Sequence, residues 1–328
     1  MKRLSFEIGL PLALLLAAGC GTPAERSKIQ QVARSGRTAL VAKHAAPGVT
    51  QIDAACKEPA CGCVTGGGRA LLDADLGKEA LALLLAAPRL CGQPPAGMRA
   101  EAMVRAVDPG GPAAARAALA ADPQDAFAHQ ALALLAYREG RLAEAMTEVA
   151  LARSAGRGAA ALLLEGLVLF TLGDLPSAEK DFAELVKLSP ADLVARYDLA
   201  LVAQKLGRFH DAREGYLSVL ADDPKNLDAR FNLGVLTWQA GAMDEARHHL
   251  EKLREAAAPK GTELVARLEA MLKTEPPPAG RIDAVGQAPG ATAGKPIVVT
   301  KTVGPSLPPG SAAAPFSRVP APGTPPTR

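Results

Sequence analysis

One pattern, repeated four times between residues 126 and 260, constrains the fold more than any other feature of the chain. In each copy a glycine stands five residues before an alanine in an apolar background. The pairs are Gly140 and Ala145, Gly173 and Ala178, Gly207 and Ala212, and Gly241 and Ala246. The glycines are 33, 34 and 34 residues apart. Glycine can end a helix in a left-handed conformation that other residues resist, and alanine lets neighbouring helices approach closely. The pattern therefore predicts a stack of short helical hairpins that are stable only together.

This period resembles the tetratricopeptide repeat, a helix–turn–helix unit of about 34 residues. The unit at residues 193–226 carries the resemblance most fully, with small Ala200, turn Gly207, aromatic Tyr216 and closing Pro224. The resemblance implies an all-α superhelix, a right-handed solenoid, with units at 126–158, 159–192, 193–226 and 227–260. It also implies a capping helix at 261–273. We expect degenerate repeat-like helices over 61–125, because the terminal repeats of solenoids are atypical.

The first residues have the pattern of an export signal. Lys2 and Arg3 precede an apolar run that is too short to span a membrane. The run ends in Leu-Ala-Ala-Gly-Cys at Cys20, which resembles the lipobox of bacterial lipoproteins. That resemblance implies that residues 1–19 are removed and that Cys20 is acylated, so that a tether at 20–60 anchors the protein at the outer membrane, facing the periplasm. An ordinary signal peptide followed by a chance cysteine is the alternative.

Four more cysteines, Cys56, Cys61, Cys63 and Cys91, leave an even number in a chain predicted to be exported, which favours two disulfides. A bond between Cys61 and Cys63 would close a small strained ring. We therefore expect Cys91 to pair with Cys61 or Cys63, and Cys56 with the other. The alternative, from a different functional class, is a metal-binding or enzymatic role for this region, such as a four-cysteine zinc site.

Other motifs point away from catalysis. The chain contains no His-Glu-x-x-His and no Gly-x-Ser-x-Gly sequence, so we predict no catalytic residues, no metal ion and no cofactor. Residues 126–260 hold 16 Lys and Arg against 19 Asp and Glu, without a basic stripe, which argues against nucleic acid as a partner.

Residues 274–328 contain 13 prolines and are predicted to be disordered. Their one apolar island, 296–300, could add a strand to a partner's sheet.

The resemblance also implies a partner-binding groove, lined by the first helix of each unit. The candidate groove residues are Phe127, Gln130, Tyr137, Leu163, Leu167, Phe170, Val194, Tyr197, Leu201, Phe231, Val235 and Trp238. This apolar and aromatic surface predicts a protein partner that lays a peptide or an amphipathic helix in the groove. Packing of these residues within the fold is the alternative.

The expected function is a membrane-anchored, non-enzymatic adaptor or scaffold in the assembly of an envelope complex. A secretin pilotin of a type IV pilus or secretion system is a narrower alternative.

Overall fold

The computed structural model describes residues 22–43, 45–57, 61–87, 94–257, 261–274 and 276, and over these residues the chain is helical without any β-strand. The export signal, Cys20, Cys91 and most of the proline-rich segment lie outside the described residues. The fifteen α-helices are α1 (Pro23–Ala42), α2 (Ala46–Ala55), α3 (Gly68–Asp73), α4 (Gly77–Leu85), α5 (Ala96–Arg105), α6 (Gly111–Ala121), α7 (Ala126–Arg138), α8 (Leu142–Ser154), α9 (Gly158–Leu172), α10 (Leu175–Leu188), α11 (Leu193–Lys205), α12 (Phe209–Asp222), α13 (Leu227–Gln239), α14 (Met243–Ala257) and α15 (Thr262–Leu272). A π-helical turn, Cys63–Gly67, leads directly into α3.

Helices α7 to α14 form the four hairpins that the spacing predicts. Each pair, beginning with α7 and α8, packs along its length, and each hairpin packs on the next. The glycines of the four turns, Gly140, Gly173, Gly207 and Gly241, adopt φ values between 74° and 85°. Only glycine takes this left-handed conformation without steric cost, so the recurrence of glycine is explained by the turn.

Small residues set the distance between the paired helices. Ala145, Ala178 and Ala212 are fully buried where the second helix of a hairpin meets the first. At Gly166 on α9, an added Cβ would come within 2.6 Å of a ring carbon of Phe182 on α10. A larger residue there would force the two helices apart, which would remove the packing that stabilises helices of this length.

The first helices of three hairpins begin at a capping side chain. Asp125 and Asp192 accept hydrogen bonds from the first backbone N–H groups of α7 and α11, and Asn226 does so for α13. Such caps are worth about 1 kcal/mol each. α9 is the exception, because Arg157 stands at its N-cap position and makes no side-chain cap.

The N-terminal region departs from the expected tether. Residues 23–42 and 46–55 form α1 and α2, and Thr22 with Glu25 forms a reciprocal capping box at the start of α1. Ile29, Leu40 and Ile52 are buried against α3 and α4 in a core of their own. The physical reason is the helical spacing of the apolar residues of α1, which forms one buried stripe within a polar segment.

The C-terminal helix α15 covers the end of the array, as the resemblance implies. It packs on α13 and α14, where Leu268 joins a core with Phe231 and Val235. An added Cβ at Gly234 on α13 would stand 2.5 Å from a methyl carbon of Leu268, so glycine permits this contact. Among the described helices, none combines the length and the apolar character that crossing a membrane requires.

Candidate functional site

The twelve candidate groove residues, which the resemblance assigns to one inner face of the repeats, are mostly buried in the structure. Eight are buried: Gln130, Tyr137, Leu167, Tyr197, Leu201, Phe231, Val235 and Trp238. Four are half-buried: Phe127, Leu163, Phe170 and Val194. Most of the predicted surface therefore packs within the fold, and a partner has access chiefly to its middle.

Two parts of the chain cover the ends of this face. At the C-terminal end, α15 lies over Phe231, and the guanidinium carbon of Arg267 stands 4.8 Å from the centre of that ring. At the N-terminal end, the guanidinium carbons of Arg157 and Arg69 stand 4.6 Å and 5.8 Å from the ring centre of Phe127. Both contacts are cation–π interactions, which stabilise a partly desolvated ring by about 0.5–2 kcal/mol.

Buried hydrogen bonds give Tyr197 a structural role. Asn232 on α13 donates from Nδ2 to the hydroxyl oxygen of Tyr197 at 2.8 Å and to that of Tyr216 at 3.3 Å. The hydroxyl of Tyr216 in turn donates to Oε1 of Gln204 at 2.7 Å. This network ties the third hairpin to the first helix of the fourth, and burial raises the pKa of both tyrosines well above its usual value.

Next to the cover over Phe127, the N-terminal helices and the repeats line a cleft of about 260 Å³. Its N-terminal wall comes from the end of α1, from α2 and from α3. Its repeat wall comes from the first turns of α9 and α11 and from the end of α10. The lining residues are Lys43, Ala45, Pro47, Gly48, Gln51, Arg69, Ala70, Asp73, Ala74, Asp75, Arg157, Gly158, Ala159, Ala160, Leu163, Leu185, Ser189, Asp192, Leu193 and Val194. Two of the predicted groove residues, Leu163 and Val194, thus stand on one wall of a concave site.

A chain of ion pairs holds the two walls together. Arg157, which is only 2% exposed, bonds Glu101 at 2.9 Å and also bonds Asp73. Glu101, which is fully buried on α5, also accepts from Nε of Arg105 at 2.8 Å. Arg105 also forms an ion pair with Asp75, with 2.5 Å between Nη1 of the arginine and Oδ1 of the aspartate. Since the network links α3, α5 and α9, it fixes the N-terminal helices relative to the first two repeats.

The charged groups of the cleft differ in how well they are compensated. Burial lowers the pKa of Arg157, but the charges of Glu101 and Asp73 more than offset this, so the pKa is raised. Burial also lowers the pKa of Lys43, and the charge of Asp75 offsets only part of that effect. The Lys43 ammonium donates to the backbone carbonyls of Ala74 and Asp75 at 3.0 and 3.2 Å. Arg157 and Lys43 thus already have acceptors within the protein, so a ligand would meet charges at the rim of the cleft that are paired.

The cysteine region is cross-linked. Cys56 and Cys63 form a disulfide that joins the end of α2 to the π-helical turn, and Cys61 is also disulfide-bonded. Cys91 lies outside the described residues. No group of three or more His, Cys, Asp or Glu side chains in the described part of the chain is placed to hold a metal ion.

Sequence reasoning missed half of the cleft. Lys43, Arg69, Asp73 and Asp75 belong to helices or turns that we expected to be a tether or degenerate repeats. One signal was present: Arg157 stands at the N-cap of α9, where the other first helices have Asp or Asn. A cation at that place, where a helix prefers an acceptor, is compatible with a partner elsewhere in the fold, but Arg141 and Arg208 stand at the N-caps of α8 and α12 and are exposed.

Comparison with known proteins identifies the repeats. The family model described as tetratricopeptide repeat matches residues 150–192 and 197–261, so these residues carry tetratricopeptide repeats. No enzyme family accompanies it. A search of curated protein sequences found no match to this chain.

Three solved structures illustrate the structural similarity. YrrB, "a TPR protein with an unusual peptide-binding site", is 22% identical, with 49% of this chain and 82% of YrrB covered, at a TM-score of 0.42. PilW, a "type IV pilus biogenesis factor", is 18% identical, with coverages of 53% and 84% and a TM-score of 0.47. PilF of Pseudomonas aeruginosa is 20% identical, with coverages of 54% and 85% and a TM-score of 0.46. At these values the similarity carries no functional argument.

Proposed function

We propose that this chain is a non-enzymatic scaffold that binds a peptide or an amphipathic helix of a protein partner in the cleft. The observation that carries the proposal is the position of Leu163 and Val194. These half-buried side chains come from consecutive repeats and stand on the wall of a concave site of about 260 Å³. Partly exposed apolar side chains in a concave site, with polar groups around them, are typical of binding surfaces.

The chemistry of the cleft indicates how a partner would be recognised. The apolar wall lies beside charged groups that already have partners, such as Asp73 with Arg157 and Lys43 with Asp75. A partner therefore gains free energy mainly by burying apolar side chains, while the paired charges at the rim select against a mismatched sequence.

Site-specific photo-cross-linking in intact cells tests this site. A photo-reactive amino acid replaces Val194, and the same residue replaces Leu151 in a control. Leu151 is an exposed leucine of α8 that is not part of the cleft. We expect a discrete cross-linked partner from position 194 and at least fivefold less of it from position 151. Equal yields at the two positions would contradict the cleft as the binding site.

We further propose that lipidation of Cys20 anchors the scaffold at the periplasmic face of the outer membrane. The support is the resemblance of residues 16–20 to a lipobox and the export pattern before them. A Cys20→Ala protein should move from the membrane fraction to the soluble fraction, whereas Gly21→Ala should stay with membranes. A Cys20→Ala protein that still fractionates with membranes would refute the anchor without affecting the partner site.

Assembly of an envelope complex is the process that we propose for the scaffold. Mass spectrometry of the protein captured through position 194 tests it. A secretin subunit as the captured partner would identify the chain as a pilotin of a type IV pilus or secretion system. Another envelope protein would exclude the pilotin and keep the broader proposal, and a cytoplasmic protein would refute both.

A further inference from the structure

The cleft has a candidate occupant within the chain itself. We propose that residues 295–301, with the sequence Lys-Pro-Ile-Val-Val-Thr-Lys, bind in the cleft and compete there with the protein partner. The inference rests on the proposed function, because it assigns a regulatory ligand to the same site. These seven residues lie outside the described part of the chain. The geometry of the cleft, the place where the described chain ends and the sequence of the segment carry the proposal.

The described chain ends beside the candidate groove residues of α13. After α15 crosses Phe231 and Val235, the carbonyl of Thr274 accepts a hydrogen bond of 3.4 Å from Nε1 of Trp238. Phe231, Val235 and Trp238 are the candidate groove residues of α13. The C-terminal segment therefore starts beside the candidate groove residues of the fourth repeat.

The length of the intervening chain suits this path. Lys295 follows Thr274 by 21 residues. A coil of that length has a root-mean-square end-to-end distance of about 25 Å. Val194 on the cleft wall belongs to α11, two helices before α13 in the stack, and packed helices lie about 8–10 Å apart, so the span is on the order of 20 Å. A linker matched to its span gives an effective concentration of about 1 mM.

The segment has the sequence of an extended ligand. Pro296 and the β-branched residues after it favour an extended backbone. In that conformation alternate side chains share a face, so Ile297 and Val299 project together with Lys295 and Lys301 on either side. The segment thus presents a short apolar pair flanked by two cations.

The cleft presents complementary groups. Leu163 and Val194 form an apolar wall. Asp73, bonded to Arg157, and Asp192, which caps α11, each retain carboxylate acceptor capacity that a lysine of the segment can share. The first turn of α9, residues 158–160, also lines the cleft, and the N-cap side chain of that helix offers its N–H groups no acceptor. Backbone carbonyls of an extended segment can accept from such N–H groups.

Net charge favours the same pairing. Residues 126–260 carry 16 basic and 19 acidic side chains, whereas residues 274–328 carry five basic and two acidic ones. Opposite net charges raise the concentration of the segment near the repeats, and salt weakens this attraction over a Debye length of about 8 Å. This attraction is weak, because residues 21–125, which include the other wall of the cleft, carry 12 basic and 10 acidic side chains.

Cross-linking of the purified full-length protein tests the inference. With the photo-reactive residue at position 194, we expect an intramolecular cross-link to the peptide containing residues 295–301, at a yield that does not change on tenfold dilution. The double substitution Ile297→Asp with Val299→Asp should lower that yield at least fivefold. A matched control, Val303→Asp with Leu307→Asp, makes the same chemical change outside the segment and should leave the yield unaltered.

The outcomes separate the inference from the proposed function. In cells, Ile297→Asp with Val299→Asp should raise capture of the partner at position 194 severalfold. Partner capture without any cross-link to residues 295–301, or equal cross-linking in both double variants, overturns the internal ligand and leaves the scaffold intact. A cross-link to the segment without capture of any partner, in wild type or variant, supports the internal contact and refutes the scaffold.

Discussion

Asp181 is the buried acid whose titration the structure predicts most directly. It lies on α10 and is 7% exposed, and no described group donates a hydrogen bond to its Oδ2 atom. Burial and then the negative charge of Glu165 raise its pKa from 3.8 to about 6, although Arg153 opposes the shift. At neutral pH the fold therefore contains a carboxylate that would be more stable in the unfolded chain.

The sign of the effect follows from linkage. Because the folded-state pKa lies above the unfolded one, the contribution of Asp181 to stability is most favourable below about pH 4 and falls as the pH rises to about 6. A shift of about two units corresponds to at most about 3 kcal/mol. Asp181→Asn keeps the shape of the side chain and removes the charge. We expect it to stabilise the protein by about 1–3 kcal/mol at pH 8 and by about half as much at pH 5.

Urea denaturation followed by far-UV circular dichroism at both pH values measures this gain. Glu214→Gln serves as the control, because it removes the same charge from an exposed side chain of α12. It should change stability by no more than about 0.5 kcal/mol at either pH. Equal gains for Asp181→Asn at pH 5 and pH 8, or a loss at pH 8, would refute the reasoning.

Two further predictions concern buried charges. Arg157→Met should destabilise the protein by about 3–5 kcal/mol in urea unfolding, because buried Glu101 loses one of its two arginines. The control Arg153→Met, at a half-exposed ion pair, should cost at most about 1 kcal/mol, and a similar cost for both would contradict the importance of the buried network. Burial lowers the pKa of His249 to about 4, so the contribution of this residue to stability should be lost as the pH falls below about 6.5. His249→Gln should reduce that loss by about 1–2 kcal/mol between pH 7 and pH 5, and identical pH dependence of the two proteins would exclude His249 as its source.

The array was predictable because its determinants are local. A turn with positive φ favours glycine, and a close helix crossing favours alanine or glycine. The residues at Gly207 and Ala212 are therefore explained by their local environments. The cap residue Asp192 marks the start of α11 for the same reason. Each of these constraints acts within a few residues along the chain, which makes it visible in the sequence.

The site was less predictable because its determinants are distant in sequence. Trp238 and Leu163 occupy equivalent inner-face helices, yet one is buried, with its ring N–H bonded to the chain that follows α15, and the other lines the cleft. The difference in exposure between the two side chains depends on which other segments of the chain pack against each helix. Arg157 reaches Asp73 and Glu101, which are 84 and 56 residues away, and no period in the sequence connects them.

The sequence by itself therefore determined the repeated hairpins, their number and their turns, since helical period, glycine turns and small contact residues are local properties of the chain. Only the tertiary structure decided where a partner can bind. The N-terminal helices and α15 cover the two ends of the inner face, and buried ion pairs hold α3, α5 and α9 together around the remaining cleft. That arrangement depends on the mutual burial of segments far apart in the chain, which is a property of the packed molecule.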